Sequence, residues 1–417
     1  MPENVSEISV DSPVRLTAVW AVAALALGGA AFAAVWGTAS TAATGVDTKE
    51  AAEMTVTLAP ANPDTHGALA ELLELSFEPA DFDKALTHYE IAAALSPFDY
   101  LRWQELGRAR ERRGDAEGAE AALRIAAKRA PHYASVAWVL GNNLLRQGRA
   151  EEAFAEISRA VAADPRYTGP AADLAWRIFD GDLPAIRASI GDSPRLTAAI
   201  AVTLAEQERY DESLAQWSSI PDGLRAGELA DTGEALAAKF YSAKRYRAAI
   251  AVGGSAASVG AIGNPGFEAG IRAERPGRFE WSIGKAVGVQ VVPTNGRRRS
   301  GANSLAVVLT NAAGGIKILE QVAAVEPGAA YRLTVFFQGD LKGGGMKWSA
   351  VDARDGAVLG AAEVPPAASD WTELTLSFTA PLETDGVRLV LGRDACKGSG
   401  CAATGTVWFD DLELIKQ

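Results

Sequence analysis

Cysteine and histidine are scarce in this sequence, whose 417 residues include two cysteines and three histidines. These numbers are too small for zinc fingers, a multi-haem chain or a disulfide framework. Basic residues are also too few to balance the acidic ones: 40 Lys and Arg against 52 Asp and Glu give a net charge of −12. Nucleic-acid binding needs a basic surface that neutralises phosphates. We therefore expect no nucleic-acid partner.

Motifs of the common enzyme classes are absent as well. The sequence contains no Walker loop, GxSxG, HExxH or dinucleotide-binding fingerprint. His66, His88 and His132 have no triad partner at a recognisable spacing. Paired carboxylates occur, but glycoside hydrolysis would need a cleft-sized catalytic domain, and every part of the chain is assigned to another structure. We expect that the protein is not an enzyme and requires no cofactor.

The composition indicates several folded domains. Apolar residues make up 48% of the chain and charged residues 22%, which excludes wholesale disorder. The predicted fold class is multidomain, with a single transmembrane helix, an all-α repeat solenoid and an all-β sandwich. The predicted segments are a cytoplasmic N-terminal tail (1–15), the transmembrane helix (16–36), a linker (37–59), the solenoid (60–259) and the sandwich (263–417).

The run from Leu16 to Trp36 contains no charged residue. At ~1.5 Å per residue it measures about 31 Å as a helix, close to the ~30 Å hydrocarbon core of a bilayer. The competing interpretation is a cleavable signal peptide, because Ala31-Phe32-Ala33 resembles a small-x-small cleavage site. The run is longer than a usual signal-peptide core and follows an acidic segment, which favours a retained anchor.

Residues 37–59 are small and polar without apolar periodicity, and they predict a juxtamembrane linker. Basic residues specify the orientation only slightly, since Arg15 precedes the span and Lys49 follows it. Arg15 lies directly beside the span, which favours an N-terminus on the cytoplasmic side.

A 34-residue period runs through the helical part. Pro97, Pro131 and Pro165 keep this interval, and so do several alanines, leucines and glycines. The best copy begins with Trp103-Gln104-Glu105-Leu106-Gly107 and closes at Pro131. This pattern resembles the tetratricopeptide repeat. The resemblance implies about six antiparallel helix pairs in a right-handed superhelical solenoid, with the pattern decaying after residue 167.

In tetratricopeptide proteins, the second, fifth and ninth repeat positions point into a concave groove that binds peptides. The resemblance places Leu101, Gln104 and Arg108 of one repeat there, followed by Ser135, Trp138 and Asn142 of the next. Trp138 and Asn142 lie one helical turn apart and would together clamp an extended peptide. The alternative is that Trp138 fills a gap between repeats. The basic residues with which chaperone-binding members hold a terminal carboxylate are not matched.

From Gly263 onward, alternating apolar residues and turn sequences replace the helical period. About eight short strands are predicted, and they favour a two-sheet sandwich of jelly-roll type. The order of motifs then resembles the carbohydrate-binding jelly rolls appended to xylanases and cellulases. The motifs are Asn264-Pro265-Gly266-Phe267-Glu268, Trp281, Ser300–Leu305, Glu326-Pro327-Gly328, Ser369–Thr372 and Val407–Leu412.

That resemblance implies two kinds of site. Glu268 and Asp410 match the positions that hold a structural calcium between the first and last strands, and carboxylate oxygens suit this ion. A surface carboxylate pair flanking a turn is the alternative. Trp281 and Trp348 are the candidates for stacking on a carbohydrate, with core packing as the alternative for Trp348. Trp371 and Trp408 occupy motif positions that usually pack the core.

Cys396 and Cys401 are the two cysteines of the chain and lie close together between two predicted strands. They suit a small disulfide-closed loop in an oxidising compartment. A lone C-x4-C offers too few ligands for a metal site and lacks the C-x-x-C redox spacing. The disulfide places the domains outside the cytoplasm.

These features predict a bacterial inner-membrane protein with a single span and periplasmic C-terminal domains. We expect a scaffold that binds a protein partner in the repeat groove and acts in the assembly or export of an envelope or extracellular polysaccharide. The alternative is a pure protein–protein adaptor whose sandwich does not bind sugar.

Overall fold

The computed structural model describes residues 12–76, 78–253, 257–272, 274–312, 314–343, 345–395 and 402–417. The chain divides into two compact units, with the boundary between Leu196 and Thr197. The first unit is helical, and the second contains the last helices together with all the strands. This boundary lies well before Gly263, where the change in sequence pattern predicts the start of a new domain.

A long helix, α1 (Pro13–Ala43), opens the first unit. In the described residues it is the one helix long and apolar enough to cross a membrane. Its 31 residues correspond to roughly 46 Å at ~1.5 Å per residue, which exceeds the hydrocarbon core. The helix therefore continues past Trp36, where the span is predicted to end.

The predicted linker at 37–59 contains regular structure. The end of α1 occupies its first residues, and α2 (Lys49–Leu58) occupies its last ones. Ala39 and Ala43 are buried, and the buried Asn62 donates from Nδ2 to Ser40 Oγ at 2.7 Å. The small side chains of this segment allow α1 to pack closely on the chain that follows, but they show no apolar periodicity, so the sequence predicts a linker here.

Paired helices form the rest of the first unit. They are α3 (Pro63–Leu75), α4 (Pro79–Leu95), α5 (Tyr100–Arg112), α6 (Ala116–Arg129), α7 (Ala134–Arg146), α8 (Ala150–Ala163), α9 (Thr168–Ile178) and α10 (Leu183–Ile190). Glycines permit the close crossings within pairs. A Cβ on Gly107 of α5 would lie 2.6 Å from Leu123 of α6, and one on Gly141 of α7 would lie 2.7 Å from Ile157 of α8. The repeated glycines of the sequence are therefore packing positions.

Five further helices follow: α11 (Pro194–Glu206), which begins at the end of the first unit, α12 (Tyr210–Ser218), α13 (Asp222–Ala226), α14 (Ala230–Ser242) and α15 (Tyr246–Val252). With α11/α12 and α14/α15, the described residues contain six helix pairs, the number expected from the repeat. Trp217 and Phe240 are almost fully buried in the core that these helices share. Burial of these large side chains therefore stabilises helix pairs in the part of the sequence that no longer matches the repeat motif.

Ten strands form the sandwich: β1 (Ser282–Ile283), β2 (Val289–Thr294), β3 (Ser304–Ala312), β4 (Ile316–Ala324), β5 (Ala330–Lys342), β6 (Met346–Asp352), β7 (Val358–Glu363), β8 (Ala367–Thr379), β9 (Gly386–Arg393) and β10 (Ala403–Lys416). They make two antiparallel five-stranded sheets, ordered β1-β4-β9-β6-β7 and β2-β3-β10-β5-β8. The two-sheet sandwich is confirmed. The short β1 and the small-residue strand β7 are additions to the eight strands predicted.

The last helix pair packs directly on the sandwich. Tyr246 and Phe240 share a buried cluster with Phe279, Ala324 and Ala353 of the β region. Asp385, in the turn before β9, accepts hydrogen bonds at 3.1 Å from the backbone N–H groups of Tyr246 and Arg247. A carboxylate there satisfies helical N–H groups that have no partner within the helix. The sandwich therefore caps α15.

Candidate binding sites

The helical groove contains three of the residues predicted for it. Arg108 of α5 and Trp138 and Asn142 of α7 line one cleft of about 550 Å³. Arg108 and Asn142 occupy the same position of consecutive repeats, and Trp138 lies one turn before Asn142 on the same helix face. The 34-residue period is what brings them together.

The aromatic and amide groups of this cleft are partly engaged by the protein itself. Trp138 is half-buried, and its ring centroid lies 5.1 Å from that of Tyr167. Asn142 Nδ2 donates to the backbone carbonyl of Trp138 at 2.8 Å. The amide oxygen of Asn142 and the open edge of the indole are the groups left for a ligand.

Gln104 does not lie in the groove. Its side chain is 4% exposed, and its Oε1 has no hydrogen-bond partner among the described residues. Helix α5 contacts α4, α6 and α7, and its turn at Gln104 is buried whereas Arg108, one turn later, is exposed. The prediction of a groove-lining Gln104 is therefore corrected.

Ion pairs neutralise most of the charge in the groove. Arg112 pairs with Glu74, and Arg146 pairs with Glu111. Arg108 is exposed and forms no ion pair with the described residues. A second cleft of about 610 Å³ shares Arg108 and Arg112 with the first one and extends along α3 to the end of α1. Arg108 is thus the unpaired cation at the junction of two clefts.

The two tryptophans predicted to stack on sugar lie in the core of the sandwich. Trp281 is 2% exposed and Trp348 0% exposed, with ring centroids 6.1 Å apart. Trp281 Nε1 donates to the carbonyl of Asn264 at 3.1 Å. Neither indole has a face available to a carbohydrate, so both assignments are corrected. Core packing, the alternative for Trp348, is what the structure shows.

The outer face of the sheet β2-β3-β10-β5-β8 carries the accessible aromatic residues instead. Phe336 of β5, Trp371 of β8 and Trp408 of β10 are half-exposed. Gln338 of β5 pairs in register with Trp408. The loop between β2 and β3 lies over these strands and supplies three exposed arginines. We call this surface the aromatic–arginine face, made of Phe336, Gln338, Trp371, Trp408, Arg297, Arg298 and Arg299.

The arginines differ in their partners. The guanidinium of Arg297 lies 4.3 Å from the ring centroid of Trp408, and that of Arg299 lies 3.5 Å from that of Phe336. Arg299 also pairs with Asp411 at 2.5 Å. Arg298 donates to the carbonyl of Asn295 at 2.9 Å. All three line a cleft of about 460 Å³ with Gln338 and Trp371.

Strand alternation contains the signal that would have found this face. Val335 and Phe337 are buried on the inner side of β5, so Phe336 between them points outward. Leu376 and Phe378 are buried on β8, which puts Trp371, at odd spacing from them, on the outer side. The motif positions place Trp371 and Trp408 in the core, whereas the alternation of side chains along the strands places them on the outer face of the sheet.

Glu268 and Asp410 support the arginine loop. Glu268 accepts from Ala302 N at 3.0 Å with both carboxylate oxygens. Asp410, which is fully buried, accepts from Arg299 N at 2.8 Å, Ser300 N at 3.3 Å and Asp411 N at 2.8 Å. Burial raises the pKa of the Asp410 carboxyl, against the opposing effect of these three donors.

This arrangement does not fit the structural calcium implied by the resemblance. Calcium takes six to eight oxygen ligands, and here the carboxylate oxygens already accept hydrogen bonds from backbone N–H groups. In the part of the chain that the structure describes, no group of three or more His, Cys, Asp or Glu side chains is placed to hold a metal ion. Cys396 and Cys401, the predicted disulfide, lie outside the described residues.

Two histidines that are 22 residues apart in the sequence meet in the first unit. His66 Nδ1 and His88 Nδ1 are 2.8 Å apart, and His66 Nε2 lies 2.9 Å from the carbonyl of Pro60. His66 Nε2 donating to the Pro60 carbonyl and His88 Nδ1 donating to His66 Nδ1 is one assignment consistent with these distances. Burial lowers the pKa of His88, and the neighbouring His66 lowers it further.

No protein-family model and no curated protein matches the chain. Among solved structures, the sandwich is similar to a CBM4 module at 16% identity, with 37% of this chain and 99% of that chain covered and a TM-score of 0.30. It is also similar to TmCBM61 in complex with beta-1,4-galactotriose, at 20% identity with coverages of 38% and 100% and a TM-score of 0.28. The helical region is similar to MamA, at 16% identity with coverages of 38% and 89% and a TM-score of 0.31. Similarity at this level concerns the fold alone.

Proposed function

We propose that this protein is a non-catalytic, membrane-anchored scaffold whose helical groove binds a protein segment and whose sandwich binds a glycan. In this proposal α1 is retained as an anchor in a bacterial inner membrane, and both units face the periplasm. The role is in assembling or exporting an envelope or extracellular polysaccharide. The proposal includes no catalytic activity, because the sequence lacks the motifs of the common enzyme classes.

The observation that carries the glycan part is the aromatic–arginine face. Sugar recognition combines an aromatic ring, on which the apolar face of a pyranose can stack, with side chains that hydrogen-bond hydroxyl groups. Trp371, Gln338 and the arginines line one open cleft, so a ring and several polar groups are within reach of one ligand. The cleft volume of about 460 Å³ suits a few sugar units.

The protein-binding part is supported by the groove. Arg108, Trp138 and Asn142 offer a cation, an apolar edge and an acceptor in one cleft. Trp and Arg are the residues that most often dominate interface energetics. An extended segment with an acidic side chain near Arg108 fits this arrangement.

The test of the glycan part is binding of the full chain, in detergent micelles, to an array of bacterial polysaccharides. We expect binding that Trp371→Ala abolishes and Trp138→Ala leaves unchanged. If no glycan on the array were bound, the glycan part of the proposal would be contradicted, and the proposal of protein binding in the groove would still stand.

A second candidate function has an observation of its own. Because Asp385, Phe279 and Ala324 of the β region pack on α14 and α15, the sandwich can serve as the cap that a helical repeat array needs at its end. A protein–protein adaptor built in this way would bind no glycan. Tyr246→Ala, which removes packing between the sandwich and the last helices, would weaken binding of its protein partner. Trp371→Ala would leave that binding unchanged.

The proposed topology is tested by a phosphatase fused after Gln417. Activity of the fusion in a bacterial host, with the protein still in the membrane fraction, is expected for a retained anchor. An inactive fusion would contradict the periplasmic location, and an active soluble protein lacking α1 would identify the segment as a signal peptide.

A further inference from the structure

We propose that the ligand of the aromatic–arginine face is an anionic saccharide, whose carboxylate, sulfate or phosphate group binds Arg298 while one sugar ring stacks on Trp371. This inference rests on the proposed glycan binding and specifies its chemical class.

The charge of the cleft is opposite to that of the protein. The whole chain has a net charge of −12. The cleft is lined by Arg297, Arg298 and Arg299, with Gln338, Trp371 and small residues, and no carboxylate of the described part of the chain lines it. Asp411, which does not line the cleft, pairs with Arg299, whereas Arg297 and Arg298 form no ion pair with the described residues. A cleft of this composition is therefore complementary to an anionic ligand.

Arg298 is the arginine left for a ligand. Arg297 lies over Trp408, and Arg299 lies over Phe336 and pairs with Asp411. Arg298 has a single backbone carbonyl as its hydrogen-bond partner, and no ion pair connects it to any described residue. The remaining donors of its planar guanidinium can hold an oxyanion with two parallel hydrogen bonds.

Trp371 is the ring left for stacking. Arginines cover Trp408 and Phe336, whereas Trp371 has no ring or cation partner in the described part of the chain. A single open indole beside one free guanidinium accommodates one acidic sugar. Single-stranded nucleic acid is disfavoured, because its binding uses successive aromatic platforms along a strand.

The loop that carries Arg298 is held in place before any ligand arrives. Asp410 and Glu268 accept hydrogen bonds from the backbone N–H groups of residues 299, 300 and 302. Ser304 Oγ donates to the carbonyl of Arg297, which fixes the other end. Such bracing lowers the cost of ordering the arginines on binding. Asp410 and Glu268 act here as positioning residues.

The test compares polygalacturonate with its methyl ester, which has the same backbone without the charge, and dextran sulfate with dextran. Binding of the full chain in detergent micelles is measured by calorimetry at two salt concentrations. We expect the acidic member of at least one pair to bind tenfold or more tightly than its neutral partner, and added salt to weaken its binding.

Arg298→Ala is expected to weaken acidic-glycan binding at least tenfold, as is typical for the loss of a charge-assisted contact. Arg298→Lys, which keeps the charge and loses the fork, should give an intermediate value. Lys317→Ala removes one positive charge from the opposite sheet and is the matched control, expected to bind as the unaltered chain does. Because Arg298 and Lys317 are both exposed, thermal melts of both variants should match that of the unaltered chain.

Three results would overturn the inference. Equal binding of acidic and neutral members would show a glycan site without anion selectivity, and the proposed function would stand. Absence of binding to every glycan would remove both the inference and the glycan part of the proposed function. Binding of single-stranded DNA as tight as that of the acidic glycan would show a general polyanion surface instead of a saccharide site.

Discussion

The groove of the helical unit and the outer face of the sandwich contain the same ingredients, an indole beside several arginines, in different electrostatic states. In the groove, Arg112 and Arg146 are neutralised by Glu74 and Glu111. On the sandwich, Arg299 pairs with Asp411, but Arg297 has only an aromatic partner and Arg298 only a backbone carbonyl among the described residues. An arginine cluster can receive an anion only where the fold has not already supplied one.

The sequence of each region accounts for this difference. Residues 263–417 have almost equal numbers of acidic and basic side chains, so nearly all of the net charge of −12 belongs to the first 262 residues. In the acidic helical part, an arginine meets a glutamate of the same or an adjacent helix at short range. On the sandwich, Asp410 and Glu268 accept hydrogen bonds from the backbone of the arginine loop, and Asp411 is the carboxylate that pairs with one of its arginines, Arg299.

The largest expected effect separates the inner tryptophans of the sandwich from the outer ones. Trp348→Ala should lower the free energy of unfolding by ~3–5 kcal/mol, because it empties a fully buried site. Trp371→Ala should cost less than about 1 kcal/mol, because a half-exposed residue leaves no enclosed cavity. Chemical denaturation of both variants measures the difference. Equal losses would mean that the inward position of Trp348 or the outward position of Trp371, which belong to different sheets, has been assigned incorrectly.

The next effect concerns the support of the arginine loop. Asp410→Ala leaves three backbone donors without their carboxylate and should cost about 2–4 kcal/mol, at roughly 1–3 kcal/mol for each buried unsatisfied group with partial compensation by water. The substitution should also weaken ligand binding at Arg298, because Asp410 positions the loop although it does not contact the ligand itself. Glu268→Ala, at an exposed site, should cost less.

Calcium provides the control for this interpretation. If Asp410 and Glu268 only brace the loop, melts recorded with calcium and with a chelator should coincide. If calcium raised the melting temperature of the unaltered chain but not that of Asp410→Ala, the metal site implied by the sequence resemblance would be supported instead.

A smaller effect is expected in the groove. Trp138→Ala should cost about 1–2 kcal/mol of stability, less than a core tryptophan, because the indole is half-buried against Tyr167. Arg108→Ala should leave stability nearly unchanged, since this arginine forms no ion pair with the described residues. A loss of 3 kcal/mol or more for Trp138→Ala would indicate that the residue fills a gap between repeats and does not serve a ligand.

The smallest effect is a pH dependence confined to the helical unit. The folded pKa of His88 is lowered by burial and by His66, so the unfolded chain takes up a proton near pH 6.5 while the folded chain does not. Its contribution to stability is therefore complete above about pH 6.5 and is lost as the pH falls toward the folded pKa. Glu53, which raises the pKa of His88, keeps the effect small.

Comparison of melts at pH 7.5 and 5.5 for His88→Gln and for the unaltered chain tests this dependence. His132→Gln, which changes the exposed third histidine, is the control. The His88 variant should lose less stability on acidification than the control does. An identical loss in both variants would assign the acid sensitivity to carboxylates.

Several features of the fold and of the groove follow from the sequence. The period of 34 residues correctly predicts the helix pairs and the meeting of Arg108, Trp138 and Asn142, because residues at equivalent positions of stacked repeats lie on one face. The prediction fails for Gln104 because the repeat position does not specify how closely the neighbouring helices approach. The prediction of a linker fails for residues 37–59, because their small side chains show no apolar periodicity in the sequence although helices pack there in the structure.

The sequence by itself determined the apolar first helix, the repeated helix pairs and the alternating strands, since each is a local pattern with a period that the backbone imposes. Alternation along a strand places Trp371 opposite the apolar residues of β8, but only the tertiary structure shows that Trp281 and Trp348 are buried while Trp371 and Trp408 are half-exposed. It also decided the role of Glu268 and Asp410. Two carboxylates far apart in sequence can bind a cation or backbone N–H groups, and only the position of the loop at 297–303 selects the second.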